Sequence, residues 1–215
     1  SFYYSTDKGQ KIGYKFTSNF IPLREYKSKL IKDIIISMVM NYIFKKELFD
    51  DMRFKKGVFC EDVILFNKLL EKLSSDVTVV MEPLYHYFIR EDSSIHKRNI
   101  KVETDYFEAI KSRYELNYIN KEEKAYCLMN ILDNFSQISK VYNRKSDLVN
   151  NYLKIINSTD KLIFTKARKL LNKKEFFRFN MAYYFPDILY KIIFNIYSAL
   201  KSQKDALNFC HTRII

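Results

Sequence analysis

Apolar positions recur at helical spacing along most of the chain, and at strand spacing only near its start and around residue 80. Residues 2–4 and 10–16 are extended runs on either side of Thr6-Asp7-Lys8-Gly9, a pattern that predicts two strands in a hairpin-like opening. Between Ser28 and Met40, the residues Leu30, Ile34, Ile35, Met38 and Val39 keep to one helical face, and Lys45–Phe49 reads as a further helical turn. Val63, Phe66, Leu69, Leu70 and Leu73 repeat that period and predict a helix whose first turn carries Glu61 and Asp62. Val77–Met81 is short and β-branched, which predicts a buried strand ended by Glu82-Pro83. Leu84–Arg90 is a second extended run, and 91–94 is a polar loop. From Val102 onward the helical period dominates, with helices predicted at about 102–118, 121–142, 146–157, 160–171, 173–184 and 187–203. This change of character puts a boundary near Asn99–Thr104 and divides the chain into 1–98 and 99–215. The expected class is α/β, mostly α, with a partial sheet followed by an α-helical C-terminal region.

Composition agrees with a folded chain. Its 215 residues are 47% hydrophobic and 29% charged, and three Gly and three Pro argue against long flexible linkers. The net charge of +12 points to an anionic partner: a nucleotide phosphate, an acidic lipid surface or nucleic acid. Basic residues are spread along the chain without a recognised nucleic-acid-binding motif, so nucleic acid is the weakest of the three. Cys60, Cys127 and Cys210 have neither metal-ligand spacing nor the pattern of a disulfide framework, which suits a reducing cytoplasm. No stretch reaches the roughly 20 unbroken apolar residues of a membrane-spanning helix.

The helix predicted after Pro186 is unusually apolar. Asp187, Lys191, Asn195, Ser198 and Ser202 trace one narrow polar stripe, and nearly every other position is aliphatic or aromatic. At about 1.5 Å per residue it is too short to cross a bilayer. Two readings remain: a helix buried in a bundle, or an interfacial helix. Phe176, Phe177, Phe179, Tyr183 and Tyr184 lie just upstream. From Ile163 to the end ten Lys or Arg stand against three acids, which favours a membrane-facing or partner-facing region over 173–203.

The acidic pair is the chief candidate for chemistry. A helix N-terminus carries unpaired N–H groups and partial positive charge, so carboxylates there are favoured in the ionised form. Acids open many ordinary helices, and on this feature alone a purely structural role is the simpler explanation.

The surrounding segments change that balance. Asn41-Tyr-Ile-Phe-Lys-Lys-Glu-Leu-Phe49, Met52-Arg-Phe54, Phe59-Cys-Glu-Asp-Val63, Glu82-Pro-Leu-Tyr-His-Tyr87 and Arg90-Glu-Asp-Ser-Ser-Ile-His96 occur in one order. Together they resemble the second half of the catalytic domain of family-two glycosyltransferases, enzymes of capsule, exopolysaccharide and cell-wall assembly. The resemblance covers residues 1–98 and implies a partial GT-A, Rossmann-like sheet. It implies inverting transfer of a sugar from a nucleotide-sugar donor to a glycan or lipid-linked acceptor. Asp62 then corresponds to the general base, and Glu61 orients acceptor or base beside it. Arg90 corresponds to a position that reaches the donor diphosphate, where a guanidinium can give two parallel hydrogen bonds. Ser94 and His96 fall in a polar segment near the donor phosphates. His96 is a candidate donor-site or metal-associated residue, with an ordinary loop histidine as the alternative. His86, between two tyrosines, and Cys60 are read as structural.

Two departures qualify the match. Tyr42 follows Asn41 where the family usually has Lys. The Asp-x-Asp motif that holds Mg or Mn on the diphosphate does not occur, and Asp50–Asp51 reads as surface. The expectation is therefore the acceptor-and-base part of an enzyme or a truncated gene product. Alone it is expected to be inactive, and it is placed in the cytoplasm at the inner face of the membrane. The alternative is a non-enzymatic basic helical module that binds anionic membrane or a protein partner.

Overall fold

The computed structural model describes residues 2–5, 11–12, 18–32, 39–80, 85–88, 99–185, 187–193 and 195–196. The described chain is mostly helical. It forms two compact units, Ser1–Leu128 and Met129–Ile215.

In the first unit β1 (Phe2–Ser5) pairs antiparallel with β2 (Lys11–Ile12) and parallel with β5 (Tyr85–Phe88), giving the order β2-β1-β5. Tyr4 lies opposite Ile12 on one side and Tyr87 on the other. A parallel pair needs a long crossover, and here the chain between β1 and β5 contains the helices that form the core. A second ribbon joins β3 (Phe20–Ile21) to β4 (Val77–Thr78), extended by a bond from Val79 N to Asn19 O at 2.8 Å. β4 is not the buried strand expected. Period-two alternation turns Ile21, Val77 and Val79 toward the core and leaves Phe20, Thr78 and Val80 exposed, because the ribbon is covered on one face only.

Helix α1 (Leu23–Ile31) begins five residues before the helix expected from Ser28. Pro22 precedes its first turn, and Asp76 accepts the Leu23 N–H at 2.7 Å, supplying from a distant turn the cap that local sequence lacks. Tyr26, Leu30 and Ile31 face inward, and Ile34 and Ile35 lie outside the described residues. Two 3-10 turns follow, at Val39–Asn41 and Lys46–Phe49. Helix α2 (Glu61–Lys72) buries Leu65, Phe66, Leu69 and Leu70 against α1 and the aromatic segment at 42–49. Tyr42 is half-buried and packs against this core. Its ring lies 4.8 Å from Phe66 and 5.7 Å from Phe44, where the charge of a lysine would be expensive to bury.

Helix α3 (Ile100–Tyr114) is capped by Asn99, whose side chain accepts the Val102 N–H at 3.0 Å. It does not open a separate unit at residue 99. Asn67, almost fully buried in α2, donates to Ala109 O at 3.2 Å and to Ser112 Oγ at 2.7 Å, locking α3 to α2. The compact units part instead at Leu128, within α4 (Lys121–Ile138).

The second unit contains the rest of α4 with α5 (Asp147–Ser158), α6 (Lys161–Leu170) and α7 (Lys173–Tyr184), close to the periodicity-based expectation. Ser146, Asp160 and Asn172 cap the last three, and Asn172 with Glu175 forms a reciprocal capping box. Phe135, Tyr152 and Phe179 are fully buried, and the Tyr152 hydroxyl donates to Asn134 Oδ1 at 2.7 Å. Residues 187–193 are helical. Tyr190 is buried with its hydroxyl on Ser136 O at 2.8 Å, whereas Ile188 is 76% exposed and Leu189, Ile192 and Ile196 are exposed as well. The bundle-buried reading of this helix holds for Tyr190 but not for these aliphatic positions. No helix among the described residues is long and apolar enough to cross a membrane.

Candidate active site

The turn at 55–60 sets the direction of the acidic pair. Gly57 takes φ of 72°, and Cys60 is the only described non-glycine residue in the left-handed region, at φ 59°. A side chain there costs roughly 1–2 kcal/mol. Such backbone persists where neighbouring structure enforces it, and it clusters at functional sites. Here α3 supplies the enforcement. Asp105 accepts the Phe59 N–H at 2.9 Å, and Lys101 Nζ reaches both Asp105 Oδ2 and Gly57 O at 2.6 Å. Burial pushes the Asp105 carboxyl up, but the Lys101 ammonium and the Phe59 N–H outweigh this and hold it below the ordinary range.

Cys60 is the N-cap of α2. Its carbonyl accepts the Ile64 N–H at 3.2 Å while its thiol makes no cap. Burial, followed by the charges of Asp62, Glu61 and Asp105, pushes the thiol up to about 12. It therefore stays protonated near neutral pH and is no nucleophile, as a structural reading requires.

Glu61 and Asp62 both fall in the first turn of α2, half-buried. Asp62 Oδ1 accepts the N–H of its neighbour Val63 at 2.8 Å. The helix start does not bring the Asp62 carboxyl below its ordinary value. Burial is the largest influence and raises its carboxyl above the ordinary value. The Val63 bond opposes this, and the Glu61 charge adds to it. The helix terminus moderates the shift without reversing it.

Arg90, Ser94 and His96 lie outside the described residues, so this structure does not place them beside Asp62. His86 lies in β5 opposite Tyr3. Asp51 is exposed and pairs with Lys72, in keeping with a surface role. The resemblance implies a divalent cation. Among the described residues, however, no three His, Cys, Asp or Glu side chains converge.

Sequence reasoning missed the Lys101–Asp105 clamp. The i,i+4 spacing of opposite charges was the available signal, but its partner at Phe59 lies 46 positions from Asp105. Comparison with protein-family models, with curated proteins and with solved structures finds no match.

Proposed function

We propose that the chain forms the acceptor-and-base part of an inverting glycosyltransferase of the GT-A type, with Asp62 as general base. The observation that carries this is the half-buried Asp62 carboxyl, raised by desolvation, on a turn fixed by Asp105. A base serves best when its pKa approaches the working pH, because it is then both ionised and a strong proton acceptor. In the proposed step the acceptor hydroxyl oxygen bonds to the anomeric carbon as the bond to the donor diphosphate breaks. Its proton passes to Asp62. Glu61 orients the acceptor, and Arg90, Ser94 and His96 serve the diphosphate of the nucleotide-sugar donor. The order of the five segments across 41–96 and the mixed β2-β1-β5 pairing support this reading.

The test is sugar transfer by the full gene product that contains this chain. Asp62→Asn is expected to abolish transfer and to leave nucleotide-sugar binding largely intact. Full activity in D62N overturns the assignment.

A further inference from the structure

Helices α6 and α7 meet at a corner whose outer surface combines cations with exposed apolar side chains. Thr165, Arg168, Lys169, Leu171, Lys173 and Phe176 line an open cavity of about 430 Å³ there. Arg168 is built in: its guanidinium lies 5.0 Å from the Phe176 ring centre and 5.7 Å from that of Phe164, and Nη2 donates to Asn180 Oδ1 at 2.8 Å. Its Nε is buried and has no hydrogen-bond partner. Between Asp160 and Arg178 seven Lys or Arg face two carboxylates. Both acids are engaged as caps, Asp160 on Leu162 N and Ile163 N, Glu175 on Asn172 N. Phe176 in the cavity wall is exposed, and Leu170 and Phe177, the sequence neighbours of the lining residues Leu171 and Phe176, are exposed as well, Phe177 at 54%.

We propose that this corner is a docking surface for an anionic phospholipid bilayer. A headgroup phosphate sits in the cavity among Arg168, Lys169 and Lys173, and Phe177 with Leu170 enters the headgroup–acyl boundary. Charge complementarity selects the occupant: cations at the rim attract an acidic surface, and exposed rings and aliphatic tips beside them gain by leaving water. A purely polar anion would use the cations and leave Phe177 and Leu170 without a role. The inference is independent of the proposed glycosyl transfer.

The test uses the full 215-residue chain and sedimentation with phosphatidylcholine vesicles, with and without phosphatidylglycerol. Binding is expected only to the phosphatidylglycerol vesicles and is expected to weaken with salt. Neutralising both exposed lysines in Lys169→Gln/Lys173→Gln should cut the partition coefficient about thirtyfold at unchanged circular dichroism. Phe177→Ser should also weaken it. Two results each overturn the proposal: no binding to phosphatidylglycerol vesicles, or wild-type binding by the double variant.

Discussion

Asp105 on α3 accepts the backbone N–H of Phe59 at 2.9 Å, fastening the turn that launches α2 from a point 46 residues later in the chain. The bond couples the direction of Asp62 to a helix that carries no catalytic motif of its own. A left-handed Cys60 adjoins the same turn, so the strain and its restraint lie side by side.

Removing that restraint should loosen the turn before it loosens the core. Asp105→Ala strips the acceptor from the Phe59 N–H and from Lys101, a loss of about 1–2 kcal/mol for a part-buried charged hydrogen bond. Hydrogen exchange is the direct readout. The Phe59 amide should speed up markedly, while the amides of Leu69 and Leu70, deep in α2, should accelerate far less. Equal acceleration along the whole helix would mean that Asp105 contributes only global stability.

Asp62 is expected to oppose the stability of the fold it occupies. Its folded carboxyl is raised above the ordinary value, so the folded state binds the proton more readily than the unfolded state does. Stability therefore falls as pH rises from the ordinary carboxylate range through that raised value. Asp62→Asn has no charge to desolvate and should melt a little higher than wild type at pH 7. The advantage should vanish at low pH, where Asp62 is protonated. Because the group is half exposed, a gain of only a few degrees at most is expected, roughly the shift of 1 kcal/mol in a chain of this size. A lower melting temperature for D62N at pH 7 would contradict the burial argument.

Legibility in the sequence followed the range of the interactions. Helices α2 to α7 are written in local period, as at Phe66, Leu69 and Leu70, and α3 and α5 to α7 in local caps as well, as at Asn172 and Glu175. The start of α1 was not readable, because its cap comes from Asp76 across the fold. The Val content of β4 predicts a buried strand, yet its exposure depends on having only the short β3 beside it. In the candidate site the acidic pair itself was readable. The left-handed Cys60 and the Phe59–Asp105 bond were not, since neither residue type announces that geometry. The outward face at Ile188 and Ile192 was half-legible: the stripe showed which positions differ, not which side would meet the bundle.

A second carboxylate should show the opposite pH sign. Glu123, whose side chain is 1% exposed, pairs with Arg24 Nη2 at 3.0 Å and accepts the Asn120 N–H at 2.9 Å. Burial raises its carboxyl, but Arg24, the Asn120 N–H and the Ser28 hydroxyl together hold it below the ordinary range. The stability it contributes is fully present above the ordinary glutamate value and is lost as pH falls through the lowered one. Glu123→Gln should cost about 2 kcal/mol at pH 7 by chemical denaturation, and its unfolding curve should be flatter than wild type below about pH 4. An unchanged acid limb in E123Q would show that this carboxylate is not among those driving acid unfolding.

Arg144 should prove the main anchor between α7 and the helical residues that follow. Its Nη2 donates to the carbonyl oxygens of Ala182, Tyr183 and Phe185 at 2.9, 2.6 and 3.1 Å. Its backbone N–H donates to Asp187 Oδ2 at 2.7 Å, and Nε lies 3.4 Å from the same carboxylate. The final carbonyls of a helix lack partners within it, and a planar guanidinium can serve several at once. Arg144→Ala should therefore cost about 1–2 kcal/mol and expose the chain after Phe185 to limited proteolysis. Arg144→Lys keeps the charge but offers a single compact ammonium, so it should restore the Asp187 attraction without closing all three carbonyls. Intermediate protection in R144K fits this division of labour. Full protection would show that charge alone suffices, and protection in R144A equal to wild type would remove Arg144 from the anchoring role.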